Sequence, residues 1–333
     1  MAREAAPLAA PDSSISDSGA LAARIAARLG APVDAPVDMA VDPAVREFAA
    51  ALGEEAGALA VLFYGSNLRT RSLEGVLDFY VLLPGDAAGE PAIWPQVSYR
   101  ERSHNQLTLR AKVATMRLAS FAEAASGERL DTTIWARFVQ PSALAWVSDK
   151  AADNGARAKV GAALEAAAIT AARLAVALGP ERGTPGDYWR ALFGATYRAE
   201  FRVEKAGREN DILSVNADHF DGLLPLALAA AGIGFSVEAG RLAPRMEPGQ
   251  RRAVLRWWKR RERLGKPLNL LRLVKASTTF EGAARYAAWK IERHTGMPVE
   301  VTPFREKHPL LAAPGVLFSL WRHRRRRGGD RPD

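Results

Sequence analysis

Apolar and polar positions alternate with two different periods along this chain. Residues 43–57 carry apolar positions at helical spacing and lead into an apolar run at 59–64, Leu-Ala-Val-Leu-Phe-Tyr, which predicts a strand. A second apolar run at 77–83, Leu-Asp-Phe-Tyr-Val-Leu-Leu, predicts its partner. Further strand-like runs occupy 107–118, which also suits a helix, and 132–139. The alanine-rich segment 155–178 is apolar at helical spacing and stops at Gly179-Pro180, and a shorter helix is expected at 19–29. Residues 187–195 read as a short helix. In the next nine residues Tyr197, Ala199, Phe201 and Val203 alternate with Arg198, Glu200, Arg202 and Glu204. Such alternation predicts an extended segment with one apolar and one charged face. Residues 1–20, rich in Ala, Pro, Ser and Asp, are expected to be disordered, and the Pro-Val-Asp repeat at 32–38 reads as a linker.

The first strand ends in Tyr64-Gly65-Ser66; eleven residues, beginning with Asn67, follow, and Asp78 then opens the second strand. Glycine at a strand end lets backbone N–H groups approach an anionic phosphate, a serine hydroxyl adds a donor, and a following helix N-terminus adds partial positive charge. A carboxylate on the neighbouring strand could hold Mg²⁺, which favours carboxylate and phosphate oxygens. This is the outline of a nucleotidyltransferase site. The same residues also suit a plain turn, with the aspartate as a turn residue. Many such sites place a second carboxylate two residues on, and here that position is Tyr80. Within the alternating segment, Glu200 is the candidate second metal ligand, with Arg202 or Arg198 as a phosphate clamp; a solvated edge strand is the plainer account of the same residues.

Composition narrows the chemistry. The chain has 333 residues and no cysteine, so disulfides, thiolate metal sites and cysteine nucleophiles are excluded. Its five histidines show no helical metal-binding pair, which argues against a histidine zinc site. No apolar run reaches the roughly 18 residues needed to span a bilayer and the N-terminus lacks the basic region and apolar core of a secretory signal, so a cytoplasmic location, peripheral on the inner membrane face, is expected. The net charge of +9 is uneven: residues 251–333 hold 21 Lys/Arg against 7 Asp/Glu, and residues 1–250 hold 25 against 30. This asymmetry points to an anionic partner. Trp257-Trp258-Lys259, the segment 282–290, and the run 310–327 with Leu317, Phe318, Trp321, Arg324, Arg325, Arg326 and Arg327 all mix large apolar residues with cations. Such segments suit an anionic lipid surface, where each cation contributes about 1 kcal/mol. A core helix with a solvated tail is the alternative. Nucleic acid is the weaker match, because no aromatic-and-basic recognition motif accompanies the run.

Taken in order, Phe-Tyr-Gly-Ser at 63–66, the Asp78 strand, Ile134-Trp-Ala-Arg137-Phe-Val-Gln140-Pro141 and Thr-Tyr-Arg-Ala-Glu-Phe-Arg at 196–202 resemble the mitochondrial-type phosphatidate cytidylyltransferases, the CDP-diacylglycerol synthases of the translocator-maintenance family. The resemblance covers roughly residues 59–300. It implies an α/β (α+β) fold: a nucleotidyltransferase domain at 41–150, a smaller helical, winged-helix-like domain at 151–300, and a basic amphipathic tail at 301–333 after a linker N-terminus at 1–40. It also implies CTP and phosphatidic acid as substrates, Mg²⁺ as cofactor, and a role in phospholipid biosynthesis. Gly65 and Ser66 match the family's phosphate turn, flanked by Tyr64 and Asn67; Asp78 matches its metal-binding aspartate and Arg137 its arginine. Tyr197 and Arg202 match a later block in which Glu200 stands for an aspartate. Four positions depart from the family pattern: Tyr80, Gln140 for a lysine, Ala199 for a glycine and Asp211 for a lysine. Two other readings remain, a nucleotidyltransferase with a soluble or RNA acceptor and a catalytically degenerate membrane-binding scaffold.

Overall fold

The structure, a computed structural model, describes residues 19–29, 41–90, 95–130, 133–149, 155–199, 208–279, 282–307, 312 and 315. The chain divides into two compact units that interleave in sequence, one holding residues 28–123, 141–160 and 264–333, the other 1–27, 124–140 and 161–263.

The first unit is built on a five-stranded mixed sheet. Its strands are β1 (Ala60–Tyr64), β2 (Leu77–Leu83), β3 (Gln96–His104), β4 (Leu107–Arg117) and β5 (Ser142–Val147), in the spatial order β3-β4-β2-β1-β5. Strand β2 is antiparallel to β1 and parallel to β4, and β5 and β3 close the edges in antiparallel pairs. Helix α1 (Ala20–Leu29) belongs, as far as Ala27, to the second unit, and α2 (Pro43–Glu55) covers one face of the sheet. The start of α2 follows from its sequence. The Asp42 carboxylate accepts the Ala44 N–H at 2.8 Å, and Pro43 fills a position whose N–H would have no helical partner. Val45, Phe48, Ala49 and Leu52 then pack on Val61, Phe63, Phe79, Val81 and Val113. The Phe79 ring lies 5.7 Å from that of Phe48 and 5.3 Å from that of Phe63. Such contacts add about 0.5–1.5 kcal/mol each beyond area burial. Near its end α2 comes close to β5, where a Cβ on Gly53 would lie 2.3 Å from the Trp146 ring.

Because side chains alternate across a strand, the opposite face carries Leu62 and Tyr64 from β1, Asp78 and Tyr80 from β2, Lys112 and Ala114 from β4, and Tyr99 from β3. Tyr80 is fully buried there, its ring 5.8 Å from Tyr64 and 6.0 Å from Phe121 of α4 (Leu118–Ala125).

The second unit contains α5 (Thr133–Phe138), most of α6 (Ala156–Leu178), α7 (Pro185–Ala199), α8 (Arg208–Val215), α9 (Ala217–Phe220), α10 (Leu223–Ala230), the hairpin β6 (Gly234–Glu238) with β7 (Arg241–Arg245), and α11 (Pro248–Thr279) as far as Arg263. Helix α7 begins with a capping box. Thr184 donates both its N–H and its hydroxyl to the Asp187 carboxylate, each at 2.8 Å. Trp189, Phe193 and Phe220 form an aromatic core, and Tyr188 donates its hydroxyl to the Leu242 carbonyl at 2.9 Å, tying α7 to the hairpin. Helices α12 (Ala283–Thr295) and α13 (Pro303–Lys307) belong to the first unit.

Three sequence expectations change here. Residues 132–139 form a helix at Thr133–Phe138, because Ile134, Trp135 and Phe138 bury together at helical spacing; the strand follows it as β5. Thr196–Ala199 complete α7, so the extended reading fails for those four residues: Thr196 returns its hydroxyl to the Phe193 carbonyl at 2.8 Å, a helical contact. The rest of that segment, Glu200 and Arg202 included, lies outside the described residues. Helix α6 is long and apolar enough to cross a membrane, yet 67% of its most apolar stretch is buried. Its alanines, Ala163, Ala167, Ala171 and Ala175, are core residues. The 107–118 run is a strand, β4.

Candidate functional site

The turn after β1 and the aspartate of β2 come together. The register pairs Tyr64 with Asp78, so the chain reverses across the end of this strand pair and Gly65 lies directly over the carboxylate. Gly65 has φ 91° and ψ −165°, a conformation that L side chains rarely adopt, and a Cβ there would lie 2.9 Å from Asp78 Oδ2. Both conditions require glycine. Gly65 and Ser66 are exposed, and Asp78 is half-buried.

The residues around the turn hold it in place. Asn67 is buried, and its Nδ2 donates to the carbonyls of Ser72 and Glu74, each at 2.7 Å. Its amide group therefore pins the loop leading to β2, and its Oδ1 accepts from the Ser66 hydroxyl at 3.4 Å. Asn67 is a positioning residue rather than a surface donor. Tyr64 is likewise turned into the core beside Tyr80. The helix after the turn, α3 (Ser66–Thr70), has five residues, so its dipole contributes little and the exposed turn is what a ligand would meet.

A magnesium site needs several oxygen donors at about 2.0–2.1 Å. Among the described residues Asp78 supplies one, and no group of three His, Asp or Glu is placed to hold a metal ion. Tyr80, at the position two residues on, is committed to the core. The side chain in register with Asp78 on the parallel strand is Lys112, an exposed cation. The described residues thus form no metal site of three such side chains. Glu200, expected as the second ligand, lies outside them.

Of the other expected site residues, Arg137 is half-buried on α5 and Tyr197 half-buried on α7, both in the second unit. Gln140 donates its Nε2 to the Ala136 carbonyl at 2.9 Å, a helix-end contact, and Ala199 is buried. Arg202, Leu317, Phe318, Trp321 and Arg324 to Arg327 lie outside the described residues. Two apolar-and-basic segments expected to face lipid are partly core. Trp258 is buried, and so are Ala284 and Ala288 of α12, whose start packs so that a Cβ on Gly282 would lie 2.9 Å from the Tyr99 carbonyl oxygen.

Sequence reasoning missed the cations around Asp78. Arg110 and Lys112 occupy the polar positions of a β4 whose other face, Leu109, Ala111 and Val113, is core. That alternation was visible, but their nearness to Asp78 depends on the parallel pairing of β2 with β4. Tyr99, in register with Lys112, donates its hydroxyl to Glu101 Oε1 at 2.8 Å. Burial, reinforced by that bond and by the Glu101 charge, pushes its phenol well above the ordinary tyrosine range and keeps it a donor.

Compared with models of known protein families the chain matches none, and no curated protein matches it at a significant level.

Proposed function

We propose that this chain is a nucleotidyltransferase that transfers the cytidylyl group of CTP to phosphatidic acid, giving CDP-diacylglycerol and pyrophosphate. The observation that carries this reading is the seating of the Asp78 carboxylate under Gly65, which joins the two halves of the sequence motif in one exposed place. A strand pair ending in a glycine–serine turn, with the acidic strand continued in parallel by a third, suits a nucleotidyltransferase domain. The second unit, helical with one small hairpin, suits an acceptor domain.

On this reading the Gly65 and Ser66 N–H groups and the Ser66 hydroxyl hold phosphate oxygens of the nucleotide. An oxygen of the lipid phosphate attacks the α-phosphorus; the new P–O bond forms as the bond to the bridging oxygen breaks, and pyrophosphate leaves with the electron pair. The attacking phosphate is already ionised at neutral pH, so no general base is needed. Mg²⁺ would accompany the triphosphate, with Asp78 and Glu200 as its protein ligands. Arg137, Tyr197 and Arg202 are the further nucleotide-binding residues that the resemblance implies, and the basic C-terminal segment would keep the enzyme at the inner membrane surface.

The test is release of pyrophosphate from CTP in the presence of phosphatidic acid vesicles and Mg²⁺. Wild type should turn over, EDTA should stop it, and Asp78→Asn should lose about 100-fold or more, as expected when a charge that stabilises the transition state is removed. Turnover undiminished in Asp78→Asn would overturn the assigned site.

A second reading is favoured by two observations, the burial of Tyr80 where a second carboxylate would stand and the placement of Lys112 beside Asp78. It makes the protein a non-catalytic scaffold of the same fold that binds an anionic surface. CTP binding without turnover, or no CTP binding by calorimetry, would support it.

A further inference from the structure

Cations gather on the sheet face that bears Asp78. Lys112 is in register with Asp78, and Arg110 stands two residues earlier on the same strand and therefore on the same face. The Arg110 guanidinium lies 5.5 Å from the centre of the Trp289 ring of α12, and the Arg293 guanidinium lies 5.3 Å from the same ring. Arg293 also reaches the loop that runs into β2. Its Nη1 is 3.2 Å from where a Cβ on Gly75 would stand, three residues before Asp78. The aromatic support continues through Tyr286, whose ring is 6.3 Å from Trp289 and 5.5 Å from Tyr99.

Two guanidinium groups over one indole gain cation–π attraction but repel each other. Glu101 offsets one of them, pairing with Arg110 Nε at 3.4 Å while it accepts the Tyr99 hydroxyl. With Lys112 added, the charge beside Asp78 is positive where a metal-binding pocket would call for acids. A polyanion seated among these three side chains would relieve the repulsion and accept charge-assisted hydrogen bonds from them.

We propose that Lys112, Arg110 and Arg293, braced by Trp289, form a polyphosphate-binding subsite beside Asp78 that takes the β- and γ-phosphates of a nucleoside triphosphate. The inference rests on the nucleotide reading above and deepens it: side-chain cations grip the leaving pyrophosphate alongside any metal ion that accompanies the triphosphate. Trp289 acts by holding the two arginines apart and in place.

The probe is inorganic tripolyphosphate, titrated calorimetrically into the full chain at physiological salt in the presence of EDTA. Wild type should bind without a divalent ion. Lys112→Met and Arg293→Gln should each weaken binding about tenfold or more, the usual scale for losing one charge-assisted hydrogen bond. Asp78→Asn should leave it unchanged or tighter, because it removes a negative charge. Lys112 is exposed and its variant should melt as wild type does. Binding that appears only with Mg²⁺, or that is equal in wild type and both cation variants, would overturn the subsite. Loss of binding to phosphatidic acid vesicles in the same variants, with no tripolyphosphate binding by wild type, would also overturn it and assign the cations to a lipid headgroup. CTP turnover with tripolyphosphate binding unaffected in the variants would sink the subsite and leave the nucleotide reading standing. Subsite binding in a chain that never turns over CTP would do the reverse.

Discussion

Among single residues, Gly65 is the most constrained part of the candidate site. Its positive φ and the 2.9 Å approach of Asp78 Oδ2 mean that even a methyl group meets both backbone strain and the carboxylate. Gly65→Ala should therefore destabilise the protein by about 1–3 kcal/mol and push Asp78 out of place; urea unfolding and CTP titration of the same variant check the two effects. Unchanged stability and binding would mean that the turn is not under constraint. Part of this was legible in the sequence, because an apolar run ending in Gly-Ser and another opening with Asp mark a strand–turn–strand pair by themselves. The inward orientation of Asn67 and Tyr64 was not, since a polar or amphipathic residue beside a turn suits a ligand as well as the core. Only the pairs Asn67 Nδ2 to Ser72 O and to Glu74 O, and Tyr64 against Tyr80, decide it.

At the scale of elements, close approach and capping carry the predictions. Gly53 lies inside α2, where alanine would be the better helix former by about 1 kcal/mol. Its Cβ, however, would sit 2.3 Å from the Trp146 ring, so Gly53→Ala should lower the melting temperature despite the propensity gain. A raised melting temperature would show that Trp146 yields freely. The capping box of α7 makes a pH prediction. The Thr184 hydroxyl bond, followed by the Thr184 N–H and Arg190, holds the Asp187 carboxyl below its ordinary value against the opposing effect of burial. Its contribution is present above the unfolded pKa of about 3.9 and is lost as pH falls through the lower folded value. Asp187→Asn should thus be less stable than wild type at neutral pH, with the gap closing below that value; a gap independent of pH would contradict it. The helix and strand periods were readable where runs are long, as in α2, α6, β1 and β2. They misled where windows are short: four residues of alternation at Thr196–Ala199 also fit one helical turn. Strand β3, with Arg100, Glu101 and Arg102 at its centre, gave no apolar signal because it is an edge strand paired on one side to β4.

For the whole molecule, the proposed function draws on two features, a candidate phosphate site in the first unit and an excess of 14 positive charges in residues 251–333. If those charges serve an anionic bilayer, removal of residues 309–333 should weaken binding to phosphatidic acid vesicles in a salt-dependent way, with each lost cation worth about 1 kcal/mol near the surface. Unchanged partitioning would separate the basic tail from membrane attachment. Charge asymmetry was open to counting from the sequence. What counting could not give was the register of Lys112 with Asp78 or the placing of Arg110 and Arg293 on one indole ring, since these join β2, β4 and α12, elements far apart in sequence whose pairing is set by tertiary packing. The role of Asp78 in cytidylyl transfer is tested by the rate of pyrophosphate release from CTP with phosphatidic acid vesicles and Mg²⁺, wild type against Asp78→Asn. Turnover in wild type and a loss of about 100-fold or more in the variant are expected. Equal rates in the two proteins, or no turnover in wild type, would contradict it.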